Sequence, residues 1–297
     1  MAAKKAPRYS AEERRAQAEQ LHESIAEKVA ALTDSDEWRR FLDFTRGFHA
    51  YSLNNVLLIL AQHPTASRVA GFRSWQEKGR QVRKGERGIR IFGYSTRKIT
   101  DANGDVEIDA DGNPKTRAVF PILSVFDIEQ TDPIDPAAAT PGTIAKQLHG
   151  EDHSDLYRKV AAHLEATGWN VETTEIPGAK NGYTDPAARR VVIDANLSPA
   201  HRAKTALHEL AHIVLEHVED LDAYARHRGI KEYEAESVAY VVSGMLGIDT
   251  SEYSIGYVAE WTNGDVDAIR STAANVLHAV HTIATVLVDE PTAEEAG

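Results

Sequence analysis

The sequence predicts an α+β protein with two domains. Its 297 residues suffice for about two domains of ordinary size. Hydrophobic residues make up 42% of the chain, which is enough for a sizeable core. Helical and strand-like hydrophobic periods occur in separate blocks, and the proline-rich segment TDPIDPAAATPG, residues 131–142, lies between the two halves as a linker.

The first half is expected to begin with helices and to continue with strands. The helical patterns cover 9–33, 35–45 and 52–62. Strand-like patterns follow at 69–72, 89–94 and 118–127, and the turn-rich stretch 101–112 predicts a protruding hairpin.

The second half is expected to alternate helices and short strands. Ser198 and Pro199 mark a strong helix start, an N-cap serine followed by a proline in the first turn, and that helix should run to about His217. The other expected elements are helices at 154–166, 231–246 and 266–288 and strands at 170–174 and 190–194.

Several protein classes are excluded by composition. Without cysteine, the chain has neither disulfides nor thiolate metal ligands, so any metal must bind to histidines and carboxylates. No apolar run approaches the roughly 18 residues of a membrane span, and no apolar stretch follows the basic N-terminus, as a secretory signal would require. We therefore expect a cytoplasmic protein with no membrane partner.

Charge is unevenly distributed along the chain. The net charge is −12, yet 68–98 contains ten Lys/Arg and two acids, a local balance of +8. A concentrated basic segment in an acidic protein is typical of a localised polyanion site. The alternative is a solvated basic face with no ligand.

The segment TALHELAHIVLEH, residues 205–217, predicts a zinc site. His208 and His212 lie four residues apart, so on a helix both imidazoles project from one face and can bind one ion. Glu209 follows His208 directly and is placed to act as the general base of a hydrolytic site. We expect one Zn²⁺ per chain; the alternative is two core histidines satisfied by hydrogen bonds.

A third ligand is expected from the segment KEYEAESVAYVV, residues 231–242. Glu232 lies 20 residues after His212, a separation that suits a helix crossing back over the first. We favour Glu232 as the ligand and Glu236 as the outer residue that orients a histidine, and the reverse assignment stays open. Glu234 points elsewhere by helical geometry. His217 is interpreted as an ordinary residue near the helix end.

These motifs resemble two known domain families. HELAHIVLEH, EYEAESVAYVV and LGIDTSEYSIGYVAEW resemble the ImmA/IrrE-type metallopeptidase domain. FHAYSLNNVLLILAQHP, VAGFRSWQEKGRQVRKGERGIRIF and VFDIEQT resemble the N-terminal single-stranded-DNA-binding module of ArdC-type antirestriction proteins. The two resemblances cover most of residues 35–131 and about 205–261.

The resemblance implies an architecture and a role. A helical and β single-stranded-DNA-binding domain is expected at 1–132, a linker at 133–149, a zincin-like (gluzincin) metallopeptidase domain at 150–289 and an acidic tail at 290–297. The implied function is single-stranded DNA binding combined with a zinc-dependent metalloendopeptidase, in antirestriction or mobile-element biology. The alternatives are a DNA-binding protein with a structural or vestigial metal site, and a protease that cleaves a regulatory repressor. The protein substrate stays unknown.

Aromatic and basic residues are interleaved in the first half, as in proteins that bind single strands by stacking bases and pairing with phosphates. Aromatics such as Phe72, Trp75 and Phe92 have the alternative of lying in the core. The candidate DNA-binding residues are Tyr51, Arg68, Arg73, Trp75, Arg80, Arg83, Lys84, Arg87 and Arg90.

Overall fold

A computed structural model describes residues 10–101, 105–135, 153–178, 180–219, 227–248, 250 and 262–288. Most of the predicted linker 133–149, the predicted tail 290–297 and the end of the segment quoted at 246–261 lie outside the described residues. Helices and strands occur in both halves, and the predicted α+β class is confirmed. Within the described residues, no helix is long and apolar enough to cross a membrane.

The chain divides into two compact units. The first unit comprises Met1–Glu27 and Leu57–Pro141, and the second comprises Lys28–Val56 and Gly142–Gly297. The second unit is therefore assembled from two separate stretches of sequence. The domain boundaries predicted at residues 132 and 150 remain predictions. They treat each domain as one continuous segment, whereas each compact unit consists of two separate segments.

Four helices are found among residues 10–101 and 105–135, and three of them match the predicted patterns. Asp34 caps the second by accepting hydrogen bonds from the backbone N–H groups of Asp36 and Glu37. The fourth begins at Phe72, which the sequence pattern predicts to be the last residue of a strand. The strand ends one residue earlier, at Gly71, which is the N-cap of the helix. The helices are α1 (Ala11–Ala31), α2 (Ser35–Phe48), α3 (Leu53–Gln62) and α4 (Phe72–Glu77).

The strands of the first unit are short. They are β1 (Val69–Gly71), β2 (Arg80–Val82), β3 (Ile89–Phe92), β4 (Ser95–Lys98), β5 (Thr116–Val119), β6 (Ile122–Asp127) and β7 (Thr131–Pro133). One sheet has the order β1-β6-β3, while β2 pairs with β7 and β4 with β5.

The strands β3 to β6 form one long antiparallel hairpin. Strand β3 pairs with β6 and strand β4 with β5 in the same register, and Gly93 N–H donates to the Pro121 carbonyl between them at 2.8 Å. We call residues 89–98 and 116–125 the long hairpin. Three odd-numbered residues at the sheet end, Ile89, Ile91 and Val125, are buried in the core of the first unit, while Leu123 on the same side is 46% exposed. The even-numbered residues lie on the opposite face, which we call the outer face.

In its described residues, the second unit combines a three-stranded sheet with four more helices. The sheet has the order β8-β10-β9: β8 is parallel to β10, and β9 is antiparallel to it at the edge. Strand β9 is not among the predicted elements. The elements are α5 (His153–Ala166), β8 (Asn170–Thr174), β9 (Gly182–Asp185), β10 (Arg190–Asp194), α6 (Pro199–Val214), α7 (Arg228–Met245) and α8 (Val266–Leu287).

Helices α6, α7 and α8 form the core of the second unit together with α2. Trp38 and Phe41 of α2 are fully buried. The Trp38 ring lies 5.4 Å from that of Tyr233 on α7, and its Nε1 donates to Ser237 Oγ at 3.4 Å. Helix α7, which carries the predicted third metal ligand, is therefore held from two sides, by α6 and by α2.

Candidate metal centre

Helix α6 positions the two histidines of the predicted zinc site. The Ser198 hydroxyl accepts a hydrogen bond from His201 N–H, and Pro199 occupies the first turn, so the predicted helix start is confirmed. Leu207 and Leu210 are buried in the core. Burial of that stripe directs His208 and His212, one turn apart, toward a common point.

The two histidines meet Glu232 of α7 there. His208 Nε2 lies 3.0 Å from His212 Nε2 and 3.3 Å from a Glu232 oxygen, and His212 Nε2 lies 3.8 Å from the other Glu232 oxygen. One ligand atom from each residue falls within 4.8 Å of the others. Ligands about 2.05 Å from one tetrahedral ion are about 3.3 Å apart, so this donor set fits a divalent metal.

Glu236 contacts the outer side of His208. Its Oε2 lies 3.3 Å from His208 Nδ1, and its Oε1 lies 3.2 Å from Lys204 Nζ. Glu232 faces the metal-binding nitrogens of both histidines, whereas Glu236 contacts the opposite nitrogen of one. The geometry therefore favours Glu232 as ligand and Glu236 as the residue that orients His208.

His212 has a different and more deeply buried support. Its Nδ1 lies 3.0 Å from His217 Nδ1, and His217 Nε2 lies 3.0 Å from Glu234 Oε2. Asn275 Nδ2 on α8 donates to the other Glu234 oxygen at 2.9 Å. The interpretation of His217 as an ordinary helix-end residue is wrong, because its side chain is buried and hydrogen-bonded within the site.

The direction of these hydrogen bonds follows from metal binding. If His212 Nε2 presents its lone pair to a metal, its proton must lie on Nδ1, which then donates to His217 Nδ1. His217 Nε2–H in turn donates to Glu234. This tautomer assignment rests on the hydrogen-bond partners.

Glu209 lies beside the ligands at the wall of a cavity. Its Oε2 accepts a hydrogen bond from Thr184 Oγ1 of β9 at 2.7 Å. The cavity has a volume of about 640 Å³. Sequence reasoning missed Thr184, because nothing in the segment GYTD predicts a strand next to α6. Cavity-lining residues include Tyr183, Thr184, Lys204, His208, Glu209, His212, Arg228, Glu232 and Glu236.

The acidic surroundings set the protonation of the site. Burial acts to lower the pKa of His208, but contacts with Glu232 and Glu236 outweigh it and raise the pKa to about 9. Burial also lowers the pKa of His212, and for this residue burial outweighs the contact with Glu232, so the pKa lies below its usual value. In the metal-free protein, His208 is therefore the protonated member of the pair at neutral pH.

Two of the predicted DNA-binding side chains are buried. Trp75 is fully buried, and its Nε1 donates to the Phe126 carbonyl at 2.8 Å. Arg80 is also buried and donates to the hydroxyl and carbonyl of Thr131. Neither side chain presents a surface to a nucleic acid, and both stabilise the first unit.

Other basic candidates differ in how far they are neutralised. Arg83 pairs with Glu86 at 3.0 Å and with Asp132 at 3.3 Å. Three candidates are exposed and have no ion-pair partner in the part of the chain that the structure describes: Arg73, Lys84 and Arg87.

The remaining candidates are half-buried. Arg90 donates to Ser124 Oγ at 3.0 Å on the outer face of the long hairpin. Burial lowers the pKa of Arg68. Tyr51 belongs to the second unit, where its ring lies 6.0 Å from that of Phe48.

Two family models match the chain. Residues 15–126 match the N-terminal domain of anti-restriction factor ArdC. Residues 166–252 match the IrrE N-terminal-like domain of the peptidase M78 family. The chain has an ArdC-type two-domain architecture. The candidate metal-binding group of His208, His212 and Glu232 lies within the second match, whose fold is that of a zincin-like metallopeptidase domain.

The curated relative that matches this chain is distant in sequence. An uncharacterized protein of Bacillus anthracis is 26% identical over 260 residues, which are 76% of this chain and 43% of that protein. The chain thus spans less than half the length of the curated relative that it matches.

Two crystal structures of the antirestriction ArdC protein from plasmid R388 are also similar. The metal-free form has a TM-score of 0.46 and 19% identity, over 81% of this chain and 87% of that one. The Mn(II)-bound form has a TM-score of 0.41 and 18% identity, over 81% and 86%.

Proposed function

We propose that this chain is a single-stranded-DNA-binding protein that also carries a zinc-dependent metallopeptidase, and that it acts in the cytoplasm in antirestriction or another function of mobile DNA. The observation that carries the peptidase half is the convergence of His208, His212 and Glu232, with Glu209 beside them at an open cavity. A purely structural metal site needs no carboxylate in the position of Glu209.

Zinc suits this donor set. Two imidazole nitrogens and one carboxylate leave a fourth position free, as in hydrolytic zinc sites. A bound zinc ion supplies Lewis-acid activation of water and of the scissile carbonyl. Glu232 neutralises one charge of the cation, and Glu236 and His217 hold the two imidazoles in the orientation that binding requires.

Glu209 is the proposed general base. The hydrogen bond from Thr184 fixes one carboxylate oxygen, so the other can face the attacking water. It would accept a proton from that water and later pass it to the leaving amine of the peptide. Lys204 and Arg228 line the cavity and can compensate negative charge that develops on the substrate.

The peptidase proposal is tested by Glu209→Gln in the full chain. The variant and the wild type would be loaded with zinc and incubated with a complex peptide mixture, and new N-termini would be identified by mass spectrometry. We expect cleavage by the wild type only, with equal zinc content in both, because the substitution removes the base and leaves the ligands.

Glu165→Gln, the same change at an exposed position on α5, is the matched control and should cleave as the wild type does. Cleavage by Glu209→Gln would remove this residue from the base role. Zinc binding without cleavage by any form would indicate the structural or vestigial site instead.

The DNA-binding half is supported by the match to the N-terminal domain of ArdC and by the free cations of the first unit. Arg73, Lys84 and Arg87 are exposed and unneutralised by the described acids, although the chain as a whole carries −12. Cations kept free in an acidic protein favour a polyanion partner.

DNA binding is tested by fluorescence anisotropy of the full chain with labelled oligonucleotides at several salt concentrations. We expect tighter binding to single strands than to duplex, and a steep loss of affinity as salt rises. Lys84→Ala with Arg87→Ala should lower the affinity and flatten the salt slope, by about one unit for each phosphate that the variant no longer binds. Preference for duplex, or no binding at low salt, would overturn the proposal.

A further inference from the structure

The outer face of the long hairpin carries two large aromatic side chains in the open. Tyr94 is 72% exposed and Phe120 is 64% exposed. They lie opposite each other, one position beyond the Ser95–Val119 pair. Their ring centroids are 6.0 Å apart at an interplanar angle of 62°. Exposed aromatic pairs are unusual on a protein surface, where large rings are normally at least half covered.

Positively charged side chains flank this pair on the same face. Because alternate residues of a strand share a face, Arg90 and Lys98 both lie on the side of Tyr94, one toward each end of the hairpin. Phe92, between Arg90 and Tyr94, is partly covered by the stacked ring of His22, 5.0 Å away. The open part of the face is therefore Tyr94 and Phe120, with a cation on either side.

The reverse face of the same segment carries two arginines and Lys115, of which Lys115 pairs with Glu107 at 3.2 Å. Arg97 lies directly opposite Arg117, and both are exposed. Like charges directly opposite each other destabilise a β-ladder, and neither arginine has an acidic partner in the ranges that the structure describes. Residues 93–100 and 113–120 contain four Lys/Arg and no Asp or Glu. Acids occur only farther out, at Asp101, Asp105, Glu107, Asp109 and Asp111.

We propose that this part of the long hairpin is the base-stacking site for single-stranded DNA, with bases stacked on Tyr94 and Phe120 and phosphates paired with Arg90 and Lys98 on the same face. The proposal rests on the single-stranded DNA binding proposed above. It places the bases on exposed aromatic residues and not on the buried candidates Trp75 and Arg80. Aromatic faces accept any base, so the site has little sequence preference.

The stacking is tested in the full chain with two probes of about 12 units: a thymidine oligonucleotide, and a phosphodiester of the same length without bases. The wild type should bind the thymidine probe more tightly. Tyr94→Ala with Phe120→Ala should weaken binding of that probe about tenfold or more, because neither ring remains for a base to stack on. Binding of the baseless probe should not change, since its phosphate contacts remain.

Two variants control for folding and chemistry. Tyr94→Phe with Phe120→Tyr keeps both rings and should retain wild-type affinity. Ile134→Ala truncates another exposed apolar residue of the first unit and should change nothing. Arg90→Gln with Lys98→Gln should weaken both probes alike and flatten the salt slope. All variants should melt at the temperature of the wild type.

Each contrary outcome has its own meaning. If the wild type binds the thymidine probe and the double alanine variant binds it equally well, the stacking site is overturned while single-stranded DNA binding stands. Equal wild-type affinity for the thymidine and baseless probes overturns it too. If the wild type binds neither probe at low salt, the DNA-binding function itself fails.

Discussion

At the scale of single residues, the two histidines proposed as metal ligands are supported very differently. His208 contacts Glu236 directly, at a position that solvent and Lys204 also reach. His212 is supported through a second histidine and by Glu234, both buried. A buried hydrogen-bond chain holds its members more rigidly than an exposed contact does. The orientation of His212 is therefore expected to depend on three helices at once.

Removal of His217 tests that dependence. His217→Ala should weaken zinc binding about 10–100-fold, because the proton and ring orientation of His212 lose their partner. Competition with a chromophoric chelator measures the affinity, and the spectrum of a cobalt-substituted sample reports the ligand geometry. His278→Ala, at an exposed position on α8, is the control. Unchanged affinity and spectrum in His217→Ala would show that His212 is oriented without this chain.

The protonation of His208 predicts a pH dependence of metal binding. Its pKa of about 9 in the folded metal-free protein exceeds the unfolded value of 6.5. Its protonated form therefore adds stability that is complete below about pH 6.5 and is lost as pH rises through about 9. A metal must displace this proton, so affinity should rise with pH across that interval.

Calorimetry at pH 7 in buffers of different ionisation enthalpy counts the protons released. We expect about one per zinc, from His208, because the pKa of His212 is lowered by burial. Binding without proton release would show that His208 is neutral before the metal arrives.

At the scale of elements, the sequence predicts features that depend on neighbouring residues. It does not predict features that depend on contacts with distant parts of the chain. Helix α6 begins where Ser198 and Pro199 predict it, because caps act within one turn. The pairing of β9 with β10 depends on partners elsewhere in the chain, and its sequence has no strand pattern. The same holds for Asn275, 41 residues from its partner Glu234, and for Trp75, whose burial an aromatic-rich, basic sequence does not reveal.

The close approach of β9 to α6 predicts an effect of Gly182→Ala. The added Cβ would lie 2.7 Å from Thr205 Cγ2 and 3.0 Å from the Val192 carbonyl oxygen, so β9 must move away from α6. We expect a loss of about 1–3 kcal/mol in the free energy of unfolding, measured by urea denaturation. Gly71→Ala, where the nearest atom is 3.9 Å away, is the control. Equal stability of both variants would contradict the tight packing at β9.

At the scale of the whole molecule, the metal site belongs to one of two compact units. A ligand that binds only the folded form stabilises it by about 2.7 kcal/mol at one hundred times its dissociation constant. Zinc should therefore raise the thermal transition of the second unit and leave that of the first unchanged. Differential scanning calorimetry with and without a chelator measures both. A shift of both transitions together would show that the units unfold as one.

Because the second unit is formed by two separate stretches of sequence, the order of synthesis affects how this protein folds on the ribosome. Helix α2 emerges early, with Trp38 and Phe41 unpaired, while its partner α7 begins at Arg228. The first unit must be synthesised in between, so an apolar surface stays uncovered for about 190 residues, or roughly 10–40 s of elongation. During that interval, α2 is a natural target for a chaperone, and a chain that stalls before α7 exposes a surface prone to aggregation.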